Sequence, residues 1–271
     1  MAQQAPQNQP VTLYTWNTQG NFTQGPKGEV VQQMLGVQTP ALTFVQEGGV
    51  NLAGDYQGYK AVAGFAVGAF NERCTNYVLY NDAWGRLEPV LLVDGLGSAL
   101  IGGGQAGRTP AAVALGKTLF VSWHSLAAPN NLDTSAVFQA FQLAAIYKQY
   151  DQIFVGGDFN AARSRTRKGR RSVQSWWKSL ARRGFHDAVH KVAPYGGVDY
   201  IFTRTRIAGA GVDTKYRPAD AAGTSAYYSD HKLRWALLGR WRPLVRGQVP
   251  SSTTIAVAWK ALPSAKKIRI Q

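Results

Sequence analysis

Five short segments of the sequence place a polar side chain directly after an apolar stretch, where a strand end would hold it toward solvent. They contain Asn17, the pair 46–47, His124, the run 158–160 and the run 229–231. Glu47 and Asp230 are hard oxygen ligands of the kind that Mg²⁺ or Mn²⁺ prefers. Histidine, with an ordinary pKa of about 6.5, exchanges a proton near neutral pH. The set predicts chemistry in which a cation and an imidazole act on a phosphate group.

Each segment taken alone also fits an ordinary structural role. A histidine after an apolar strand is usually a core residue, and a Gln-Glu pair is usually exposed. Asp158 with Asn160 fits a turn, because both residue types favour turns. The chemical interpretation therefore depends on the segments meeting at one place in the fold.

The elements that must bring these groups together are mainly strands. Apolar runs and alternating patterns predict strands at residues 11–16, 41–45, 74–80, 87–93, 111–115, 118–124, 153–155, 198–202, 207–212 and 232–241. Apolar residues at helical spacing predict helices at residues 26–37 and 133–150, and a third that starts at residue 172. Strands outnumber helices, which predicts an α/β fold of two packed sheets flanked by helices.

The composition of the 271-residue chain narrows the class of partner and of metal site. Lys and Arg number 30 against 15 acidic residues, a formal net charge of +15 that indicates a polyanionic partner: nucleic acid, an anionic membrane surface or an acidic protein. The single cysteine, Cys74, excludes an intramolecular disulfide and a metal site built from thiolates. No apolar run of about 18 residues is present, so we expect no membrane span.

A chain of this length is expected to form one domain. We expect residues 1–10 to be disordered, residues 11–242 to form the domain, and residues 243–271 to be a basic tail with one strand at 255–259. Residues 1–10 have neither the basic start nor the apolar core of a signal peptide. If the protein is secreted, we expect that its signal peptide has already been removed from this sequence.

Several ordered motifs resemble one known family. In chain order they are WNTQG, FVQEGG, NERCTNYVLY, AGRTPAAVALGKTLFVSWHSLAAPN, IFVGGDFNAAR, GGVDYIF and SDHKLRWAL. Over residues 11–241 this order resembles the deoxyribonuclease I-like endonuclease/exonuclease/phosphatase superfamily, for which GDFN with a terminal SDH is specific. Within it, WNTQG and VQEGG look most like the catalytic B subunits of cytolethal distending toxins. The resemblance implies a four-layer α/β sandwich with mostly antiparallel sheets.

The resemblance also implies a role for each matching residue. Glu47 matches the metal-binding glutamate, with Asn17 beside it and Asp230 as the second acid on the metal side. Asp158 and Asn160 match the pair that orients the attacking water and the phosphate.

Two histidine-carboxylate pairs are implied for proton transfer. His231 matches the general base, and Asp199 matches the carboxylate that holds its ring. His124 matches the histidine on the leaving-group side, with Glu72 as its orienting partner. The residues implied to bind the substrate phosphate are Arg73, Arg108 and Asn130.

A dense basic run follows Asn160. Its members are Arg163, Arg165, Arg167, Lys168, Arg170 and Arg171. We expect an exposed loop here, followed by a helix whose Trp176 and Trp177 belong to the core. The run starts three residues after Asn160, so it stays near the site in any loop conformation. Three interpretations are open: a grip on DNA phosphates, a nuclear import signal, or a site for inositol phospholipid headgroups.

The sequence and the resemblance together predict a Mg²⁺-dependent DNA endonuclease without sequence specificity, with Mn²⁺ as the alternative ion. The resemblance further implies a secreted genotoxin-type effector that acts in the nucleus of a target cell, with the delivery subunits of a toxin complex as partners. Two other functions fit the same residues. One is a phosphoinositide phosphatase, and the other is a catalytically idle protein that binds polyanions.

Overall fold

Two β-sheets packed face to face carry the strand ends at Asn17, Gln46, His124 and Asp158 that the sequence singles out. A computed structural model describes residues 8–49, 51–64, 75–93, 110–125, 150–167, 170–189, 197–213, 229, 231–241 and 254–256. Within these residues the chain forms a seven-stranded sheet, a six-stranded sheet and two ladders of two strands each. The predicted arrangement of two packed sheets flanked by helices is confirmed.

The seven-stranded sheet has a parallel pair at its middle. Its strands in spatial order are β15 (Gly209–Val212), β16 (Arg234–Trp241), β1 (Gln9–Asn17), β2 (Ala41–Gln46), β5 (Tyr77–Asn81), β4 (Tyr59–Ala63) and β3 (Gly54–Tyr56). Strands β1 and β2 are parallel, and the other neighbours are antiparallel. Successive side chains of a strand point to opposite faces. Leu13 therefore enters the core between the sheets, while Trp16 faces the outer layer.

The six-stranded sheet is built the same way around a second parallel pair. Its strands in spatial order are β13 (His186–Asp187), β14 (Asp199–Thr203), β10 (Gln152–Asp158), β9 (Thr118–His124), β8 (Ala111–Leu115) and β6 (Glu88–Pro89). Strands β9 and β10 run parallel, and their register sets His124 beside Asp158. The strands predicted at residues 111–115 and 118–124 are confirmed to the residue.

Three apolar clusters hold four layers together. The cluster between the sheets includes Val11, Leu13, Phe44, Phe120, Phe154 and Ile201. Helix α1 (Gly25–Leu35) covers the outer face of the seven-stranded sheet with a buried stripe that contains Val31 and Met34. Helix α2 (Ser175–Arg182) covers the six-stranded sheet, where Trp176 stacks on Phe159 with ring centroids 5.7 Å apart. Trp176 is fully buried, and Trp177 packs against the same cluster half-buried, as predicted.

The basic run after Asn160 differs from its prediction as a loop. Residues 164–167 and 170–173 form an antiparallel hairpin of strands β11 (Ser164–Arg167) and β12 (Arg170–Val173). The helix predicted to start at residue 172 therefore starts at Ser175. The pattern misses the hairpin because its strands alternate no apolar residues with polar ones.

Other predicted elements lie partly or wholly outside the described residues. Among them is most of the helix at 133–150. Of the tail, strand β17 (Thr254–Ala256) is described and pairs in parallel with β7 (Leu91–Val93). Strand β1 begins at Gln9, inside the segment expected to be disordered. Neither described helix is long and apolar enough to cross a membrane.

The two glycines that precede Asp158 are required by close packing. A Cβ atom on Gly156 would lie 2.0 Å from Cδ2 of Phe44, which belongs to the opposite sheet. A Cβ atom on Gly157 would lie 1.8 Å from the backbone oxygen of Trp123 on the neighbouring strand. Only residues without a side chain let β10 approach both neighbours this closely.

We predict that Gly156→Ala lowers the free energy of unfolding by about 1–3 kcal/mol, because the added methyl group forces Phe44 out of its position. Chemical denaturation followed by tryptophan fluorescence measures this change. The matched control is Gly209→Ala, where the new Cβ atom would meet no heavy atom closer than 3.8 Å. Equal effects of the two substitutions would contradict the packing explanation.

Candidate active site

The carboxyl ends of the two parallel strand pairs meet at one edge of the sandwich. Asn17 ends β1, His124 ends β9 and Asp158 ends β10, while Glu47 follows β2 directly. The antiparallel register then places Asp199, the first residue of β14, opposite Asp158. Residues far apart in the sequence are thereby collected into one polar cluster.

Asp158 lies at the centre of this cluster and is almost fully buried. Its Oδ1 accepts the backbone N–H of Asn160 at 2.8 Å, and its Oδ2 accepts the side-chain amide of Asn17 at 3.1 Å. Nε2 of His124 lies 3.6 Å from the same Oδ2, and Nε2 of His231 lies 3.7 Å from it. Both predicted histidines therefore approach a single carboxylate oxygen.

The pKa of Asp158 is raised to about 6, first because burial disfavours the charged form and then because the Asp199 carboxylate is close. The charge of His231 and the hydrogen bonds from Asn160 and Asn17 act in the opposite direction. Asp158 and Asp199 are thus neighbouring acids in a buried site. A positive charge placed among them would favour the ionised form of both.

The ring of His231 is fixed by one carboxylate at Nδ1 and faces another at Nε2. Its Nδ1 lies 2.9 Å from Oδ1 of buried Asp199. Its backbone oxygen accepts the indole N–H of Trp16 at 3.2 Å, and its backbone N–H binds Oγ of Ser229 at 3.0 Å. With Nδ1–H donated to the carboxylate, Nε2 is left with a lone pair. The side chain is 17% exposed, so solvent reaches part of the ring.

His124 and Glu47 form the opposite wall of the cluster. Nε2 of the buried His124 lies 3.6 Å from Oε1 of Glu47. Glu47 has a positive φ of 51° and its side chain is 26% exposed. The turn after β2 therefore presents a carboxylate that solvent can reach.

The donor set fits a hard divalent cation. Ligand atoms of Asp158, Asp199 and His231 all lie within 4.8 Å of one another, and Glu47 adds an accessible carboxylate beside them. Carboxylate oxygens suit Mg²⁺ or Mn²⁺, and a cation would offset the repulsion that raises the pKa of Asp158. Asn17 donates its amide to both Glu47, at 3.3 Å, and Asp158. Its predicted role as a metal ligand stays a prediction.

The remaining predicted site residues divide into two groups. Asn160 is at the site, with a positive φ of 45° and its side-chain amide bonded to the backbone oxygen of Ser125 at 2.7 Å. Its predicted contact with water and phosphate stays a prediction. The predicted site residues outside the described part of the chain are Glu72, Arg73, Arg108, Asn130, Lys168 and Asp230.

Gln46 supports the site, although a Gln-Glu pair taken alone is usually exposed. Gln46 is fully buried, and its amide donates to Oγ of Ser122 at 3.0 Å, while that hydroxyl donates to the backbone oxygen of Val45 at 2.8 Å. These bonds join β2 of one sheet to β9 of the other directly below the cluster. The sequence feature that could have indicated this buried role is a polar residue that continues an apolar strand.

A second buried acid, Asp187, lies outside the cluster. Its Oδ1 accepts the backbone N–H groups of Val189 and Ile201 at 3.1 and 3.2 Å. Burial raises its pKa to about 6, against the lowering effect of Arg234. The buried guanidinium of Arg234 packs on Gly197, where a Cβ atom would lie 1.9 Å from Nη2.

We predict that Asp187 makes the fold less stable as pH rises. Its pKa is raised from 3.8 to about 6 on folding, so the folded state holds a proton that the unfolded state has lost between about pH 4 and pH 6. The free energy of unfolding should fall by about 3 kcal/mol across this window and then stay level. Asp187→Asn should remove that part of the slope, because its amide oxygen still accepts both N–H groups. Denaturation curves of both proteins from pH 4 to 8 measure it, and a pH-independent difference would contradict the prediction.

Comparison with solved structures finds this fold in nucleases and phosphatases. A 3′-5′ exonuclease from Neisseria meningitidis matches with a TM-score of 0.58 and 15% identity, covering 85% of this chain and 100% of that chain. A 3′ phosphatase from Neisseria bound to a product DNA hairpin matches with a TM-score of 0.56 and 14% identity, covering 83% and 98%. An endonuclease/exonuclease/phosphatase family protein from Bacteroides thetaiotaomicron matches with a TM-score of 0.55 and 13% identity, covering 84% and 94%.

No protein-family profile matches the sequence, and no curated protein sequence matches it. Identities of 13 to 15% establish a shared fold and nothing finer. The order of the strands and the cluster at their ends agree with the motifs quoted from the sequence. The chain therefore has the fold of the deoxyribonuclease I-like endonuclease/exonuclease/phosphatase superfamily, as its motifs predict.

Proposed function

We propose that this protein is a Mg²⁺-dependent phosphodiesterase that cleaves DNA without sequence specificity. The observation that carries the proposal is the His231 ring, held at Nδ1 by Asp199 and facing the buried Asp158 with Nε2. A carboxylate that fixes the tautomer of a histidine, so that the second nitrogen can accept a proton, is the arrangement of a general base. Glu47 beside it supplies a carboxylate for the cation.

Hydrolysis of a phosphodiester requires a deprotonated nucleophile, and His231 serves this step. Nε2 of His231 takes a proton from the attacking water, and the charge that forms on the ring is stabilised by Asp199, 2.9 Å from Nδ1. Asp158 lies within 3.7 Å of the same Nε2 and orients the water through its carboxylate. Proximity and orientation of this kind are a major part of catalysis.

In the proposal, His124 donates a proton to the leaving group. Its Nε2 lies between Glu47 and Asp158, and both carboxylates favour a proton on that nitrogen. The proton can pass to the leaving oxygen when the phosphorus–oxygen bond breaks. Glu47 and its neighbouring acids would hold a cation here, and its positive charge would neutralise the phosphoryl oxygens.

Two observations support DNA as the substrate. The net charge of +15 favours a polyanion, and backbone phosphates give affinity that does not depend on sequence. One solved protein of the same fold is bound to a product DNA hairpin. Export, delivery subunits and action in a target-cell nucleus stay predictions from the sequence resemblance.

The proposal predicts that the protein nicks supercoiled plasmid with Mg²⁺ and that EDTA stops the reaction. Since His231 supplies the base, His231→Ala should lower the nicking rate on the order of 10² to 10⁴-fold. Agarose gels of a time course measure the rate, and added Mn²⁺ after EDTA tests the alternative ion. Nicking by His231→Ala at the wild-type rate would contradict the mechanism.

The plasmid assay also separates the alternatives. Phosphate release from a phosphoinositide with no plasmid cleavage would establish the phosphatase instead. Tight DNA binding that ignores EDTA and shows no turnover on either substrate would establish a polyanion-binding protein.

A further prediction concerns the partner of the base. Asp199→Asn should lower kcat on the order of 10² to 10⁴-fold and leave KM nearly unchanged, because it removes the charge that stabilises the imidazolium but not the substrate contacts. The matched control is Asp187→Asn, another buried aspartate of the same sheet that does not touch the cluster. A rise in KM with unchanged kcat would place Asp199 in substrate binding instead.

A further inference from the structure

Arg234 is a buried cation that the hydrolytic mechanism does not use. It is the first residue of β16, and its side chain is almost fully buried. No other lysine or arginine in the described part of the chain is buried. A charge taken out of water is costly unless the surrounding structure gives it partners. What the fold gains from this arginine therefore lies in its contacts.

The side chain of Arg234 extends from one sheet to the other. Strand alternation places it on the inner face of the seven-stranded sheet, as it does Leu238, whereas Leu233 belongs to the outer cluster. Its Nη2 packs on Gly197, which precedes β14 of the six-stranded sheet. Burial raises the pKa of Asp187, a residue of the same sheet, and the positive charge of Arg234 acts against that rise. The guanidinium thus lies between the sheets with a carboxylate as its counter-charge.

The contact between the general base and its carboxylate also joins the two sheets. His231 is held to the seven-stranded sheet by Trp16, whose indole N–H donates to its backbone oxygen at 3.2 Å. Asp199 is the first residue of β14, in the six-stranded sheet. Strands β14 and β16 belong to different sheets, so no backbone ladder joins them. The 2.9 Å distance between Nδ1 of His231 and Oδ1 of Asp199 therefore depends on side chains that set the two sheets relative to each other.

Arg234 joins the two chain segments that carry this pair. It lies three residues after His231, and Gly197 lies two residues before Asp199. The backbone oxygen of Gly197 in turn accepts the hydroxyl of Tyr200 at 2.9 Å. The contact between the guanidinium and Gly197 therefore limits how closely the segments of His231 and Asp199 approach each other.

Glycine is required at position 197 for this contact. A Cβ atom there would lie 1.9 Å from Nη2 of Arg234 and 3.0 Å from its Cζ. A side chain would displace the guanidinium and move the two segments apart. A misplacement of about 1 Å can lower a rate on the order of 10²-fold, so a contact outside the reacting groups can still control the reaction.

We propose that Arg234 is a positioning residue of the general base, and that its packing on Gly197 sets the distance between His231 and Asp199. The inference rests on the proposed function, because it takes His231 as the base. The position of the His231 ring, however, can be measured without any substrate.

Two substitutions disturb the contact and keep every charge. Gly197→Ala pushes the guanidinium away, and Arg234→Lys replaces the planar guanidinium by a compact ammonium group. Each should lower kcat for Mg²⁺-dependent hydrolysis of bis(4-nitrophenyl) phosphate on the order of 10²-fold and leave KM nearly unchanged, because the base is misplaced while the substrate contacts stay. Initial rates of 4-nitrophenolate release at increasing diester concentration measure both constants.

Proton NMR of the intact chain measures the pair directly, without metal or substrate. The Nδ1–H proton of His231, bonded to Asp199, should give a resolved downfield signal that is missing from His231→Ala. Gly197→Ala and Arg234→Lys should each shift or lose this signal, because the bond lengthens.

Gly211→Ala is the matched control. Its Cβ atom would lie 2.5 Å from Cε2 of Trp235, the residue after Arg234, whose side chain points to the opposite face of β16. The substitution overcrowds the same strand and can lower stability, but kcat and the His231 signal should equal the wild-type values. Chemical denaturation shows whether each variant is folded under the assay conditions.

Unchanged kcat and an unchanged signal in both Gly197→Ala and Arg234→Lys would overturn the inference and leave the proposed function standing. Equal losses in Gly211→Ala would also overturn it, since any overcrowding of β16 would then have the same effect. A wild-type protein without the His231 signal would contradict the fixed ring on which the inference depends. A signal that depends on Arg234 and Gly197, with no hydrolysis of any diester, would overturn only the proposed function.

Discussion

The tight packing of strand β10 against the opposite sheet sets the position of Asp158, the central residue of the site. Strand β10 packs its Gly156 on Phe44 of the other sheet and its Gly157 on the backbone of β9. Because the strand is fixed on both sides, its last residue, Asp158, has one available place, between the ends of the two parallel pairs. The buried bond from Gln46 to Ser122 holds the same two sheets together below it.

This packing has an electrostatic consequence. Asp158 and Asp199 are held side by side in a buried site, and burial together with the Asp199 charge raises the pKa of Asp158 to about 6. The fold tolerates the two charges because each has partners: Asn17 and the N–H of Asn160 for Asp158, and His231 for Asp199. The two carboxylates therefore attract positive charge, which either a cation or a protonated imidazole can supply.

The charge of the whole chain has the opposite sign from the charge of the site. The chain has a net charge of +15, whereas the site contains the buried acids Asp158 and Asp199. In the proposed function, surface cations attract a polyanion and the buried acids bind the cation that acts on it, so long-range attraction and local chemistry belong to different residues.

The sequence by itself determined the residue types of the site, the superfamily resemblance and most of the strands. Residues 111–115 and 118–124 were predictable because their apolar runs are bounded by turn residues. It did not determine the hairpin, whose strands contain one apolar residue, Val173, or the structural role of Gln46. Only the tertiary structure decided that both histidines approach one oxygen of Asp158. The parallel register of β9 and β10 brings His124 there, and the pairing of Asp199 with Asp158 brings His231. Register and burial arise from contacts between distant segments, which no local pattern in the chain records.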